Sequence, residues 1–170
     1  MSTIIGGSSP SVTFPDSTVQ DTSAIVGGKV PYTNLPAGSV LQVVQVGAGG
    51  QNSTTSTSFV SAGFSASITP KFATSKILVI ANGCSYISGN NANGFVGIYR
   101  GGVIYSETTG QTGSGNGMNA SFTLVYLDSP ATTSSTTYSL YFKTTNAANT
   151  VYVNGDGVST TTILLMEIAA

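Results

Sequence analysis

The sequence predicts an all-β protein, an antiparallel β-sandwich preceded by an extended N-terminal arm. From Ser39 onward, short runs rich in Val, Ile, Thr, Tyr and Phe are separated by Gly, Asn and Ser clusters at intervals of roughly ten residues. No stretch of about ten residues or more has the spacing of apolar positions that an amphipathic helix requires. β-branched Thr and Val are also abundant, and they weaken helices.

The first 38 residues differ from the rest in composition. Prolines recur at Pro10, Pro15, Pro31 and Pro36, and the apolar runs between them are too short to build a core. We therefore expect an extended anchoring arm at 1–38 and a sandwich domain at 39–170. Candidate anchoring residues in the arm are Ile4, Ile5, Phe14, Val19 and Ile25.

The body divides into ten predicted strands. Their ranges are 39–47, 56–61, 63–69, 75–87, 93–100, 102–107, 117–127, 136–144, 149–154 and 160–169. Long polar loops are expected at 88–94 and 108–117, and the segment 154–157 is interpreted as a hairpin turn, because a calcium site needs more oxygen ligands than it offers.

Alternation with a period of two residues predicts which strand faces are buried. Apolar residues on one face are Phe64, Ala66 and Ile68, then Phe122, Leu124 and Tyr126, then Tyr138, Leu140 and Phe142. The last strand differs, since Ile163 and Leu165 share a face with Glu167 while Leu164, Met166 and Ile168 share the other. A sandwich core covers only one face, so we expect a neighbouring subunit to cover the second. The sequence leaves open which of the two faces that is.

The composition disfavours catalysis, metal binding and nucleic-acid binding. The chain has 5 Lys or Arg, 6 Asp or Glu, one Cys, no His and no Trp. We expect no enzyme activity and no cofactor, because proton transfer and metal binding draw on His and clustered carboxylates. No basic cluster suggests nucleic acid, and no apolar run approaches the roughly 20 residues that cross a bilayer, so membrane insertion is not expected. Tyr86, Tyr99, Tyr105, Tyr141 and Tyr152 could form a sugar-binding platform, but core or cross-strand roles are favoured.

Several segments resemble a group of small bacteriophage virion proteins. The arm contains Phe14-Pro15-Asp16-Ser17-Thr18, with Ser17 where related segments carry glycine. The body adds Pro36–Val44, Ser67–Lys71 and Ser75–Val79, and the chain closes on Thr162–Ile168. The resemblance covers most of the chain and implies a virion structural protein, made in the cytoplasm of the bacterial host.

The order of elements is also similar to the C1q and tumour-necrosis-factor-like jelly roll. The similarity includes aromatic strands around Phe59 and Phe64, the Val96–Gly102 hairpin and the hydrophobic last strand. It implies a jelly-roll β-sandwich that forms a homotrimer with its terminal strands near the threefold axis. The trimer-interface candidates are Ile163, Leu164, Leu165, Met166 and Ile168.

Together these expectations favour a trimeric capsid decoration, knob or short-fibre protein that the arm fixes to other virion proteins of the capsid or tail. The alternative is a tail-fibre or spike module that binds a host-surface glycan through the loops at 88–94 and 108–117, since loops commonly carry binding residues.

Overall fold

The computed structural model describes residues 11–13, 15, 19–21, 30–89, 92–112, 120–154 and 157–170. It divides the chain into two compact units, Met1–Ser39 and Val40–Ala170.

The first unit contains a short hairpin that the sequence did not predict. Strands β1 (Ser11–Thr13) and β2 (Val19–Asp21) pair antiparallel, with Val12 opposite Gln20. A single 3-10 turn follows at Tyr32–Asn34.

In the described residues of the second unit, ten strands form two antiparallel sheets. The strands are β3 (Val40–Ala48), β4 (Asn52–Thr54), β5 (Val60–Ile68), β6 (Lys76–Ile87), β7 (Asn93–Arg100), β8 (Val103–Thr112), β9 (Ala120–Asp128), β10 (Thr136–Thr144), β11 (Val151–Val153) and β12 (Thr161–Ile168).

The strand order is that of a jelly roll. The smaller sheet runs β5-β10-β7-β8. In the larger sheet, β12 lies between β3 and β6, and β9 pairs with the opposite edge of β6. Beyond the end of β12, the long strand β6 pairs with β11, which pairs with β4. Leaving out the short β4 and β11, the other eight strands form a double Greek key. They alternate between the two sheets except at β7 and β8, which pair in the smaller sheet. The predicted jelly-roll sandwich is confirmed.

The core lies between the sheets and uses the alternating residues that the sequence indicated. Phe64, Leu124, Tyr138 and Phe142 are all buried, whereas Tyr126 is half-buried at the margin of the core. Burying each large apolar side chain contributes roughly 1.5–3 kcal/mol, so this face dominates folding. In β5, β9 and β10, nearly every second residue is buried in this core.

Three strand predictions need correction. The predicted strands 56–61 and 63–69 both overlap one strand, β5, which begins only at Val60, and within it Gly63 adopts φ +79° and the register against β10 shifts. Because glycine tolerates this conformation, the sequence suggested a break where the strand only bulges. Strand β4 lacks the apolar alternation that would have predicted it, and β8 continues to Thr112, into the expected loop at 108–117.

Candidate interaction surfaces

The two apolar faces of β12 have different surroundings. Ile163 and Leu165 point into the core, where they are 3% and 0% exposed, and Glu167 lies beside them. Leu164, Met166 and Ile168 lie on the opposite face and are half-buried. Ile163 and Leu165 are therefore buried within the protomer and cannot contact another subunit. Of the five candidate interface residues, Leu164, Met166 and Ile168 remain.

Leu164 and Met166 belong to a continuous apolar patch on the outer face of the larger sheet. Paired residues of antiparallel strands share a face, so the strand register gives the rows of this patch. One row is Val43, Met166, Leu78 and Leu127, and the next is Gln45, Leu164, Ile80 and Val125. We call these two rows the outer apolar face. With sheet spacings of about 4.8 Å between strands and 3.4 Å per residue, it measures about 19 by 14 Å.

The outer apolar face is substantially exposed in the protomer. Val125 is 56% exposed, Val43 54% and Leu127 50%. Uncharged residues border the face at one end, in a row of Gly47, Thr162, Asn82 and Thr123. At the other end lie Val40, Ile168 and Lys76. An apolar centre with a polar rim is the composition of a protein–protein contact.

Two of the described acidic residues, Asp128 and Glu167, belong to buried hydrogen-bond networks. Asp128 and Glu167 both face the interior, in one row of the larger sheet on either side of Ile77. Glu167 accepts hydrogen bonds from the backbone N–H groups of Lys71 and Phe72 at 2.7 and 3.3 Å. It also accepts one from Gln42 Nε2 at 2.6 Å. The carboxylate thus fixes the turn between β5 and β6 to the last strand.

Asp128 is the centre of a second polar network at the same end of the sandwich. Its carboxylate contacts Arg100 Nε at 2.6 Å and accepts a hydrogen bond of 2.6 Å from the Tyr138 hydroxyl. Arg100 Nη2 also donates to Tyr105 Oη at 2.9 Å. Each charge has a partner, as buried charges require.

The network shifts the pKa of two of its members. Burial opposes the charged form of Arg100, but the hydrogen bond and negative charge of Asp128 raise the pKa of the guanidinium above its usual value. For Tyr138, burial first and the hydrogen bond to Asp128 second raise the pKa of the hydroxyl far above its usual value. Both effects stabilise one fixed protonation state, whereas acid–base catalysis requires a group that changes protonation near the working pH.

The tyrosines do not form one platform. Tyr86 and Tyr152 are cross-strand partners in the larger sheet, with ring centroids 5.3 Å apart. Tyr105 lies against Tyr126 at 5.0 Å. Tyr99 and Tyr141 stack at 3.9 Å with an interplanar angle of 16°, on the outer face of the smaller sheet. The Tyr86–Tyr152 and Tyr99–Tyr141 pairs agree with the favoured cross-strand interpretation, whereas Tyr105 and Tyr126 lie in different sheets.

Other predicted features lie partly or wholly outside the described residues. Of the arm candidates, only Val19 lies in a described element, β2, and Ile4, Ile5, Phe14 and Ile25 fall outside. Residues 90–91 and 113–117 of the two predicted loops, and residues 155–156 of the predicted turn, also lie outside the described residues. Asn154, which begins that turn at φ +55°, is fully buried and accepts a hydrogen bond from Thr161 Oγ1.

Within the described ranges, no group of three His, Cys, Asp or Glu side chains is placed to hold a metal ion. The same ranges contain no helix long and apolar enough to cross a membrane.

Comparisons with known proteins give distant structural likenesses only. No family model matches the chain, and no curated protein matches it. The VP2 subviral particle of infectious bursal disease virus aligns with a TM-score of 0.42 and 11% identity, over 76% of this chain and 38% of that chain. The structure of the Gt strain of the same virus aligns with a TM-score of 0.42 and 14% identity, over 92% of this chain and 47% of that chain. The chain thus spans less than half of either protein, and likeness at this level does not establish a shared function.

Proposed function

We propose that the protein is a non-enzymatic structural component of a bacteriophage virion. In this proposal it is a homotrimeric decoration, knob or short-fibre protein, with the jelly roll as its head and the N-terminal arm as its anchor. The single observation that carries the proposal is the outer apolar face, because apart from Gln45 it presents an uncharged apolar surface on a sandwich whose own core is already complete.

A second copy of the chain is the occupant that best fits this face. Stable interfaces bury about 800 Å² per partner, with an apolar centre and a polar rim. The outer apolar face, at about 19 by 14 Å, is of a suitable size for such a centre. The rim row that contains Thr162 and Asn82 can add hydrogen bonds without charge repulsion between identical subunits. We propose three subunits because the order of elements resembles that of the C1q and tumour-necrosis-factor-like jelly roll, which forms trimers.

The low charge of the chain supports assembly through its sheets. Monomeric β-proteins usually protect exposed strand edges with Lys, Pro or inward-pointing charge. Only 6% of this chain is charged, and strand β3, at an edge of the larger sheet, contains no charged residue. An edge of this kind is best protected by a neighbouring subunit.

Two observations support the anchoring role of the arm: its composition, and its assignment to a compact unit of its own. Residues 1–38 contain four of the chain's six prolines and lie within the first compact unit, Met1–Ser39. Deleting residues 1–36 should leave a folded trimer that no longer joins the particle. Retained incorporation of the truncated protein would contradict the anchoring role.

Imaging of virions that contain the protein tests its place in the particle. Labelling the C-terminus and locating the label by electron microscopy should find many copies over the capsid surface for a decoration protein. A few copies at the tail would instead favour the fibre or spike module. Absence of the protein from purified particles would overturn the proposed function.

A further inference from the structure

The outer face of the smaller sheet differs in chemistry from that of the larger one. Here the register brings together hydroxyl and aromatic side chains: Ser61, Ser65, Ser67, Thr137, Ser139, Tyr141, Phe95 and Tyr99. The three β5 serines are exposed, and the aromatic side chains are half-buried. Aromatic rings beside hydroxyl groups suit a ligand that is both apolar and rich in hydrogen-bonding groups.

The stacked tyrosines form the centre of this face. Tyr141 pairs across the strands with Gly97, which has no side chain, and Tyr99 lies diagonally beside it. Stacking at 3.9 Å uses one face of each ring, and both residues remain half-exposed. Two rings that support each other lose little freedom when a ligand packs against them.

A positioned cation lies next to the tyrosine pair. Lys143 Nζ lies 4.4 Å from the ring centroid of Phe59 and 5.0 Å from that of Phe95. Such cation–π contacts restrict the ammonium group while leaving its N–H donors available. Glu107, opposite Gly97 on β8, is exposed and supplies an acceptor of opposite charge. The charges of Lys143 and Glu107 balance, so the face favours a neutral ligand.

We infer that this face binds a neutral polysaccharide, with sugar rings packed against Tyr99 and Tyr141 and sugar hydroxyls bonded by Lys143, Glu107 and the β5 serines. A protein partner fits less well, because the described side chains of this face are mainly hydroxyl-bearing and aromatic, and the aliphatic neighbour of Tyr99, Ile104, is half-buried. Nucleic acid fits less well, because the single lysine is balanced by a carboxylate. The inference goes beyond the proposed structural role and does not depend on the number of subunits.

Affinity electrophoresis tests the inference in gels that contain dextran, mannan, galactan or arabinoxylan, with acidic alginate as a comparison. The unaltered protein should be retarded by at least one neutral polysaccharide. Tyr141→Ala should weaken that retardation roughly tenfold, a change of about 1.4 kcal/mol. Tyr141→Phe, which keeps the ring, should retain most of it. Tyr152→Ala is the matched control, since it removes a paired tyrosine from the larger sheet.

A second variant, Lys143→Gln, tests the inference independently in case Tyr141→Ala does not fold. Lys143→Gln removes the ammonium group, keeps a polar side chain and should weaken binding with an unchanged thermal unfolding temperature. Retardation by none of the neutral polysaccharides would overturn the inference. So would retardation that both Tyr141→Ala and Lys143→Gln leave unchanged, or retardation by alginate alone. Trimer formation is measured separately by molecular mass, so failure of the inference and failure of the proposed assembly are distinguishable.

Discussion

Arg100, Asp128 and Tyr138 show how a chain with few charges uses them. Asp128 is 3% exposed, and the Arg100 guanidinium and Tyr138 hydroxyl occupy its oxygens. In the sequence, Asp128 follows the predicted strand at 117–127 and precedes Ser129 and Pro130. Its partners could not be predicted, because contacts between β7, β9 and β10 cannot be deduced from local pattern. Buried ion pairs add little compared with apolar packing, yet removing one partner is costly.

Asp128→Asn should lower the free energy of unfolding by about 3 kcal/mol, because it leaves the Arg100 charge without its partner in a mostly buried position. Urea unfolding measures the change. Glu107→Gln is the matched control, since Glu107 is exposed and surface substitutions usually change stability by less than about 0.5 kcal/mol. Equal effects of the two substitutions would contradict the role assigned to Asp128.

Tyr138 should make the fold sensitive to alkaline pH. Its pKa is raised in the folded protein, so the neutral hydroxyl is favoured there, whereas an unfolded tyrosine ionises near pH 10. The stabilisation is therefore fully present below about pH 10 and declines as the pH rises above that value. Tyr138→Phe should lose about 1.5–3 kcal/mol at neutral pH, for a hydrogen bond to a charged group. Above pH 10, the free energy of unfolding of this variant should fall less steeply than that of the unaltered protein. Urea unfolding at a series of pH values measures both. Parallel declines of the two proteins would contradict the prediction.

At the scale of the strands, periodicity predicted the core but could not assign every face. The buried residues of β5, β9 and β10 follow from alternation with polar neighbours. In β12 both faces are apolar, and only the pairing with β3 and β6 identifies Leu164 and Met166 as outward-facing. The sequence therefore predicted an extra covered face without locating it. Pairing between distant strands is a property of the whole fold, not of one segment.

Strand glycines provide a test of the packing between elements. A Cβ at Gly83 in β6 would lie 2.6 Å from Thr161 Oγ1 and 2.9 Å from a ring carbon of Phe122. Gly83→Ala should therefore destabilise the sandwich by about 1–3 kcal/mol through overpacking. Gly47→Ala in β3 is the matched control, because its nearest contact would be an ordinary 3.6 Å. Thermal unfolding compares the two, and a Gly83→Ala protein as stable as the control would show that β12 and β9 pack more loosely than described.

For the whole molecule, the decisive feature is the contrast between the two outer faces. The larger sheet presents aliphatic side chains and the smaller sheet presents aromatic and hydroxyl groups, although one core serves both. The class of fold and the two apolar faces of the last strand could be predicted from the sequence. The outer apolar face could not, because its rows combine residues from four strands that are distant in the chain.

Val125→Asp separates assembly from folding. Val125 is 56% exposed in the protomer, so a carboxylate there should remain hydrated in a single folded chain. In the proposed trimer the same carboxylate would be buried without a partner, which is strongly unfavourable. The variant should therefore still unfold cooperatively on heating, but it should no longer associate with other subunits. Ser65→Asp places the same charge on an exposed position of the smaller sheet and should leave assembly intact.

Sedimentation equilibrium of the unaltered protein, Val125→Asp and Ser65→Asp tests the central claim most directly. The unaltered protein and Ser65→Asp should each have three times the 17.2 kDa mass of one chain, and Val125→Asp should have the mass of a single folded chain. A single-chain mass for the unaltered protein, or a trimer that Val125→Asp leaves intact, would contradict assembly through the outer apolar face.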